Sequence, residues 1–232
     1  MAGCQWRHPA VYFTMKGAYL MHLMIRPIMP YDMPRLTENP FVLISGFVLL
    51  ITAVLIAVVL SRYSAEAYKG NKKKATLFFA GITAFVTLML FCFFGCAATA
   101  VKGCIFCLLL LFSSYEDIRV RECEDYVHLM IVIAAFIGTD MAALPNMILS
   151  ALLVGGIMLM TTVITKSQIG GADIKLSAAC AFMLGTVQGF AGLMLGLIAV
   201  IIVNIIINRK KKTEGFPLIP YLAVGFVTAY FM

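Results

Sequence analysis

Apolar runs of bilayer-crossing length, or close to it, follow one another from residue 41 to residue 232 with few charges between them. A helical crossing needs about 20 consecutive apolar residues, and inside lipid every backbone N–H and C=O must be satisfied within the segment. The pattern therefore predicts helices over approximately 41–60, 75–95, 103–119, 126–144, 146–165, 174–189, 190–208 and 216–232. The expected fold is all-α, a polytopic membrane helix bundle of about eight transmembrane helices. Breaks are expected at 95–103, which contains Lys102, and in a tight turn at 186–190 around Gln188 and Gly189. The chain is 62% hydrophobic and 12% charged, outside the range of a soluble domain.

The loop charges orient this bundle. Arg62, Lys69, Lys72, Lys73 and Lys74 follow the first run, and Arg119 and Arg121 follow the third. Lys166 follows the fifth, with Lys175 just beyond, and Arg209 to Lys212 follow the seventh. The alternate connections hold little basic charge: Lys102, then Thr139-Asp140, then the 186–190 turn. By the positive-inside rule the basic connections face the cytoplasm. The net charge of +7 is accounted for by topology and anionic lipid rather than by nucleic-acid binding.

Residues 1–40 differ in composition, being polar and aromatic with Pro9, Pro27, Pro30, Pro34 and Pro40. They show no signal-peptide pattern. They read either as an extramembrane tail or as sequence ahead of a start such as Met33. Residues 41–102 read as two helices with a basic cytoplasmic loop, and residues 103–232 as a six-helix core.

Two acids stand at matching depths in the core: Asp117 closes the third run and Asp173 opens the sixth, each followed two residues later by a basic side chain. A carboxylate at membrane depth costs roughly 2.5–3.5 kcal/mol, so it is a functional candidate. Both fall on the cytoplasmic side of the predicted topology, and antiparallel helices can bring them together. Two carboxylates around one water share a proton, one pKa rising and the other staying low. The ionised member then takes a proton from water while the neutral member donates to a carbonyl. That chemistry splits an amide without metal or cofactor. The bland alternatives remain open at this stage. Asp173 can be a first-turn acid favoured by the helix dipole, and Asp117 a carboxylate paired with Arg119 or Arg121. Gly170, Gly171 and Ala172, before Asp173, leave room for unusual backbone angles or close approach of another chain.

Other features carry less. Cys92, Cys96, Cys104 and Cys107 have suggestive spacings but apolar neighbours and no nearby histidine, and read as small hydrophobes. Asp140 reads as a solvated loop acid, His128 as a core or interface histidine, and Asn204 as a bridge between helices. Gly185, Gly189, Gly192 and Gly196 form a stripe for close helix packing.

Gly170-Gly171-Ala172-Asp173-Ile174-Lys175-Leu176, Asp117-Ile118-Arg119 and the proline-containing segment from Phe216 to Gly225 together resemble the type 4 prepilin peptidase family, integral-membrane aspartyl proteases with a Gly-x-Gly-Asp type motif. The resemblance covers roughly residues 103–232. It implies that Asp117 and Asp173 are the catalytic pair, with Gly170, Gly171, Ala172 and Lys175 supporting. It implies a prepilin- or pseudopilin-like membrane protein as substrate, cut behind a short basic leader at the cytoplasmic face. Glu116, Glu122, Glu124 and Asp125 are candidate acceptors for such a leader. The sequence departs from the family pattern in two places. Ala172 replaces the second glycine, and Cys123-Glu124 stands where Ile-Pro is common, which leaves Asp125 as an alternative acid. The chain holds no hydrophilic domain with paired Cys-x-x-Cys motifs, so the expectation is peptidase activity without methyltransferase activity. From a different class, a small proton-coupled transporter would use the same carboxylates; a non-catalytic scaffold is a third reading.

Overall fold

The computed structural model describes residues 40–68, 70–95, 98–121, 123–164, 170–207 and 217–232. Residues 1–39, Lys69, Cys96, Glu122, Lys166 and Arg209 to Lys212 lie outside the described residues, as does the side chain of Asn204. Eight α-helices are described: α1 (Pro40–Ala67), α2 (Lys72–Phe94), α3 (Ala98–Val120), α4 (Asp125–Ala135), α5 (Leu144–Ile164), α6 (Gly171–Leu184), α7 (Thr186–Ile207) and α8 (Ile219–Tyr230). A 3-10 turn, Met141–Ala143, leads into α5. The fold is all-α and the protein is an integral membrane protein. Five helices are long and apolar enough to cross a bilayer: α1, α2, α3, α5 with its 3-10 turn, and α7. α4 has 11 residues, α6 has 14 and α8 has 12, all shorter than the expected runs.

The short helices have physical stops. The expected run 126–144 breaks after Ala135, and Gly138 turns the chain at φ +62. Asp140 is exposed and accepts the Ala142 N–H at 3.2 Å, capping the 3-10 turn. The turn expected at 186–190 lies earlier. Gly185, at φ +83, ends α6, and Gln188 and Gly189 belong to α7. A residue with a Cβ is disfavoured at that angle.

Lys102 corrects the expected topology most. It is not in a loop: α3 begins at Ala98, so the division before the last six helices falls ahead of that residue. Lys102 is buried, and its ammonium donates to the Ala135 carbonyl and to Thr139 Oγ1, both at 2.8 Å. The Ala135 carbonyl also accepts the Thr139 hydroxyl at 2.6 Å, and it lies at the C-terminal end of α4, where a cation is favoured.

α3 is the central helix and packs on α1, α2, α4 and α8. Of its spanning stretch 61% is buried, against 17–22% in the other four. This explains why Lys102, Ser113, Ser114, Glu116 and Asp117 are all found in it: a spanning helix shielded by protein tolerates polar groups that a lipid-facing one does not. Cys104 and Cys107 are buried on the same helix, Cys104 lying 3.6 Å from Thr87 Oγ1.

Of the expected small-residue stripe, Gly189, Gly192 and Gly196 pack closely on neighbouring helices, whereas Gly185 ends α6. Gly192 and Gly196 of α7 meet Gly225 of α8 so closely that a Cβ on Gly225 would collide with the Gly192 carbonyl and the Gly196 amide. Gly189 abuts Ser150 and Ala181. α8, packed on α7 along this seam, begins at the candidate site.

Candidate active site

Asp117 lies in the last turn of α3 and is buried. Its Oδ2 accepts the backbone N–H of Ile219 at 3.0 Å. That donor exists because Ile219 is the first residue of α8, where N–H groups have no partner within the helix. Pro220 follows, fitting the first turn because proline has no N–H there to satisfy. The alternative in which Asp117 pairs with Arg119 is not the arrangement seen. Arg119 lies over the Tyr115 ring, 5.6 Å from its centroid, while Arg121 contributes positive charge near Asp117. Arg121 itself ends α3 at φ +59, in the left-handed region.

Asp173 is the third residue of α6 and half-buried. Its Oδ2 accepts the Gly170 N–H at 3.2 Å, one half of a capping box. The glycines serve differently from the expectation. Neither Gly170 nor Gly171 has a positive φ. A Cβ on Gly170 would sit 3.1 Å from Asp173 Oδ2, so the missing side chain leaves room for the carboxylate to fold back. Ala172 is helical and its departure from the motif causes no strain.

The two acids stand at the same end of the bundle. Burial, and then repulsion from the Asp117 carboxylate, push Asp173 up to about 6, with the Gly170 N–H opposing. Where α3 ends and α6 begins, a cleft of about 460 Å³ is lined by Tyr68, Val120, Arg121, Cys123, Glu124, Asp125 and the Gly170–Ala172 segment that leads into Asp173. Cys123 is half-buried, its sulfur 2.8 Å from Ser113 Oγ and 3.8 Å from His128 Nε2. Burial raises its thiol to about 11, which disfavours a nucleophilic thiolate.

The supporting acids divide. Glu116 is not an exposed acceptor for a basic leader: it is 1% exposed and accepts the Tyr68 hydroxyl at 2.5 Å. Asp125 is exposed and pairs with Lys175 at 2.7 Å, joining the start of α4 to α6. The Lys175 ammonium holds the Asp125 carboxyl below its usual range, the opposite of Asp173. Asp125→Asn is therefore expected to leave turnover within about threefold of wild type, since a solvent-screened surface pair contributes little. Loss of turnover with the fold intact would make Asp125 the acid instead.

Residues 104–208 match the family model of the type IV leader peptidase family. This segment is similar to that family. Both Asp117 and Asp173 fall inside the leader peptidase segment, whereas α1, α2 and α8 fall outside it. Nothing matches among curated proteins or solved structures.

Reading the sequence missed two contributors to the site. The Ile219 N–H is backbone, and its only sequence signal is Pro217 and Pro220 marking a helix start. Tyr68 sits in a basic loop and carries no motif.

Proposed function

We propose that the protein is an aspartyl endopeptidase that removes a short basic leader from a prepilin- or pseudopilin-like membrane protein at the cytoplasmic face. One observation carries the reading. Within the leader peptidase segment, the last turn of α3 and the first turn of α6 present two carboxyls whose charges repel. The charge pattern of the loops supports the cytoplasmic orientation: Lys72, Lys73, Lys74, Arg119, Arg121 and Lys175 lie at or just beyond the same helix ends as the pair.

The roles follow from the surroundings. Asp173, at about 6, keeps the shared proton. Asp117, facing the Ile219 N–H and near Arg121, acts as the base. It takes a proton from water as the water oxygen bonds to the scissile carbonyl carbon. Asp173 gives its proton to the carbonyl oxygen. The tetrahedral intermediate then collapses: the C–N bond breaks, the departing nitrogen takes the proton held by Asp117, and one hydroxyl of the intermediate returns its proton to Asp173 as the carboxylic acid forms. No cofactor enters.

The deciding test is cleavage of a synthetic peptide, a basic leader joined to an apolar helix, by protein in liposomes. Wild type is expected to cut one bond, with Asp117→Asn and Asp173→Asn inactive. Full activity in either variant would end the two-aspartate reading. A well-folded but inert wild type would shift attention to proton flux in the same liposomes. The pH profile is a separate expectation. The free enzyme's kcat/KM should fall about tenfold per pH unit above an apparent value near 6, because the proton on the pair is lost there. A profile flat to pH 8 would remove Asp173 as the proton donor.

A further inference from the structure

We propose that the loop between α1 and α2 completes the site, with Tyr68 as a substrate-positioning wall and Glu116 as the residue that holds it. The proposal rests on the peptidase reading and adds a residue outside the matched segment 104–208. Three observations carry it.

First, Tyr68 lines the same cleft as Arg121, Cys123 and the side-chain-free backbone at Gly170 and Gly171. An aromatic wall with room left by glycine suits an extended peptide segment. Second, the Tyr68 hydroxyl donates to Glu116 Oε1 at 2.5 Å, and Glu116 directly precedes Asp117. Glu116 is 1% exposed. A buried carboxyl needs a donor, and Tyr68 provides one from 48 residues away. The bond thus ties the ring's position to the turn that carries Asp117. Third, the loop is docked rather than loosely attached. A Cβ on Gly70 would collide with the Tyr115 hydroxyl and lie 3.3 Å from Arg119 Nη2. Phe79 of α2 meets the Tyr115 ring edge-on at 5.5 Å. α1 and α2 are therefore a structural part of the cleft.

The test is steady-state cleavage of the basic-leader peptide in liposomes, with thermal midpoints measured alongside. Tyr68→Phe is expected to raise KM about tenfold, with kcat within about twofold, which is the scale of one lost hydrogen bond. Glu116→Leu should do the same, and the double variant should be no worse than either single one. Glu116→Gln should stay near wild type, because its amide oxygen still accepts the hydroxyl. An unchanged KM in Tyr68→Phe overturns the proposal while leaving the peptidase reading intact. So does a fall in kcat and thermal midpoint together with KM unmoved, which would mark a purely structural bond. Absence of cleavage by folded wild type overturns the peptidase reading, and this proposal with it.

Discussion

Asp173→Asn is expected to lose cleavage by about 10²–10⁴-fold and yet to melt at a higher temperature than wild type at pH 7. The first effect is the loss of a positioned proton donor. The second follows from linkage. Burial and the Asp117 charge raise Asp173 to about 6 in the folded protein, from an ordinary value of 3.8. The folded state thus binds the proton more tightly than the unfolded chain does. Stability falls as pH rises from about 4 through about 6, and the whole penalty is present at pH 7. Its ceiling is roughly 3 kcal/mol for a shift of about two units. Asparagine carries no charge and still accepts the Gly170 N–H, so the variant escapes the penalty. Melting curves at pH 4 and pH 7 check this: the advantage of the variant should be present at pH 7 and vanish at pH 4. A variant less stable than wild type at pH 7 would contradict the burial account. Asp117→Asn should be equally inactive.

Gly225→Ala, a single methyl far from the acids in sequence, is expected to cost both stability and activity. The new Cβ would meet the Gly192 carbonyl and Gly196 amide and lie 2.7 Å from the Gly196 Cα. All are backbone atoms, so α8 itself must move. Overpacking of this kind costs about 1–3 kcal/mol. Displacing α8 also takes the Ile219 N–H from Asp117, so turnover should fall at least about tenfold. Gly156→Ala is the control: no atom lies within 4 Å of its Cβ, and in a helix interior alanine is favoured by about 0.5–1 kcal/mol. Thermal midpoints of the two variants should move in opposite directions, while kcat should fall in Gly225→Ala and stay near wild type in Gly156→Ala. Tolerance of Gly225→Ala would mean the seam is not what positions α8.

Some of this architecture is legible in the chain because the physics is local. Hydropathy sums over contiguous residues, so successive apolar runs show that the protein is a membrane-embedded helical bundle before any contact is known. Charge bias in short connections belongs to the same class of signal. So does the glycine spacing on α7, because residues four apart share a helix face. Asp117 and Asp173 stand out for the same reason: a carboxylate at the edge of an apolar run is anomalous within its own window.

Contacts across the bundle are not local, and there the tertiary structure decides. Lys102 looks like a loop charge until α4 ends beside it and presents a carbonyl that accepts from it. Glu116 and Asp125 look alike in sequence, yet packing buries one beneath Tyr68 and leaves the other exposed on Lys175. Gly170 looks like a residue placed for an unusual backbone angle and is instead the space into which Asp173 folds. The donor to Asp117 comes from 102 residues along the chain, delivered by a seam of glycines whose fit no window of sequence contains. What the sequence alone determined is which residues are costly to place in a membrane. Only the tertiary structure decides which neighbours meet that cost, because a hydrogen bond depends on distance in space and not on separation along the chain.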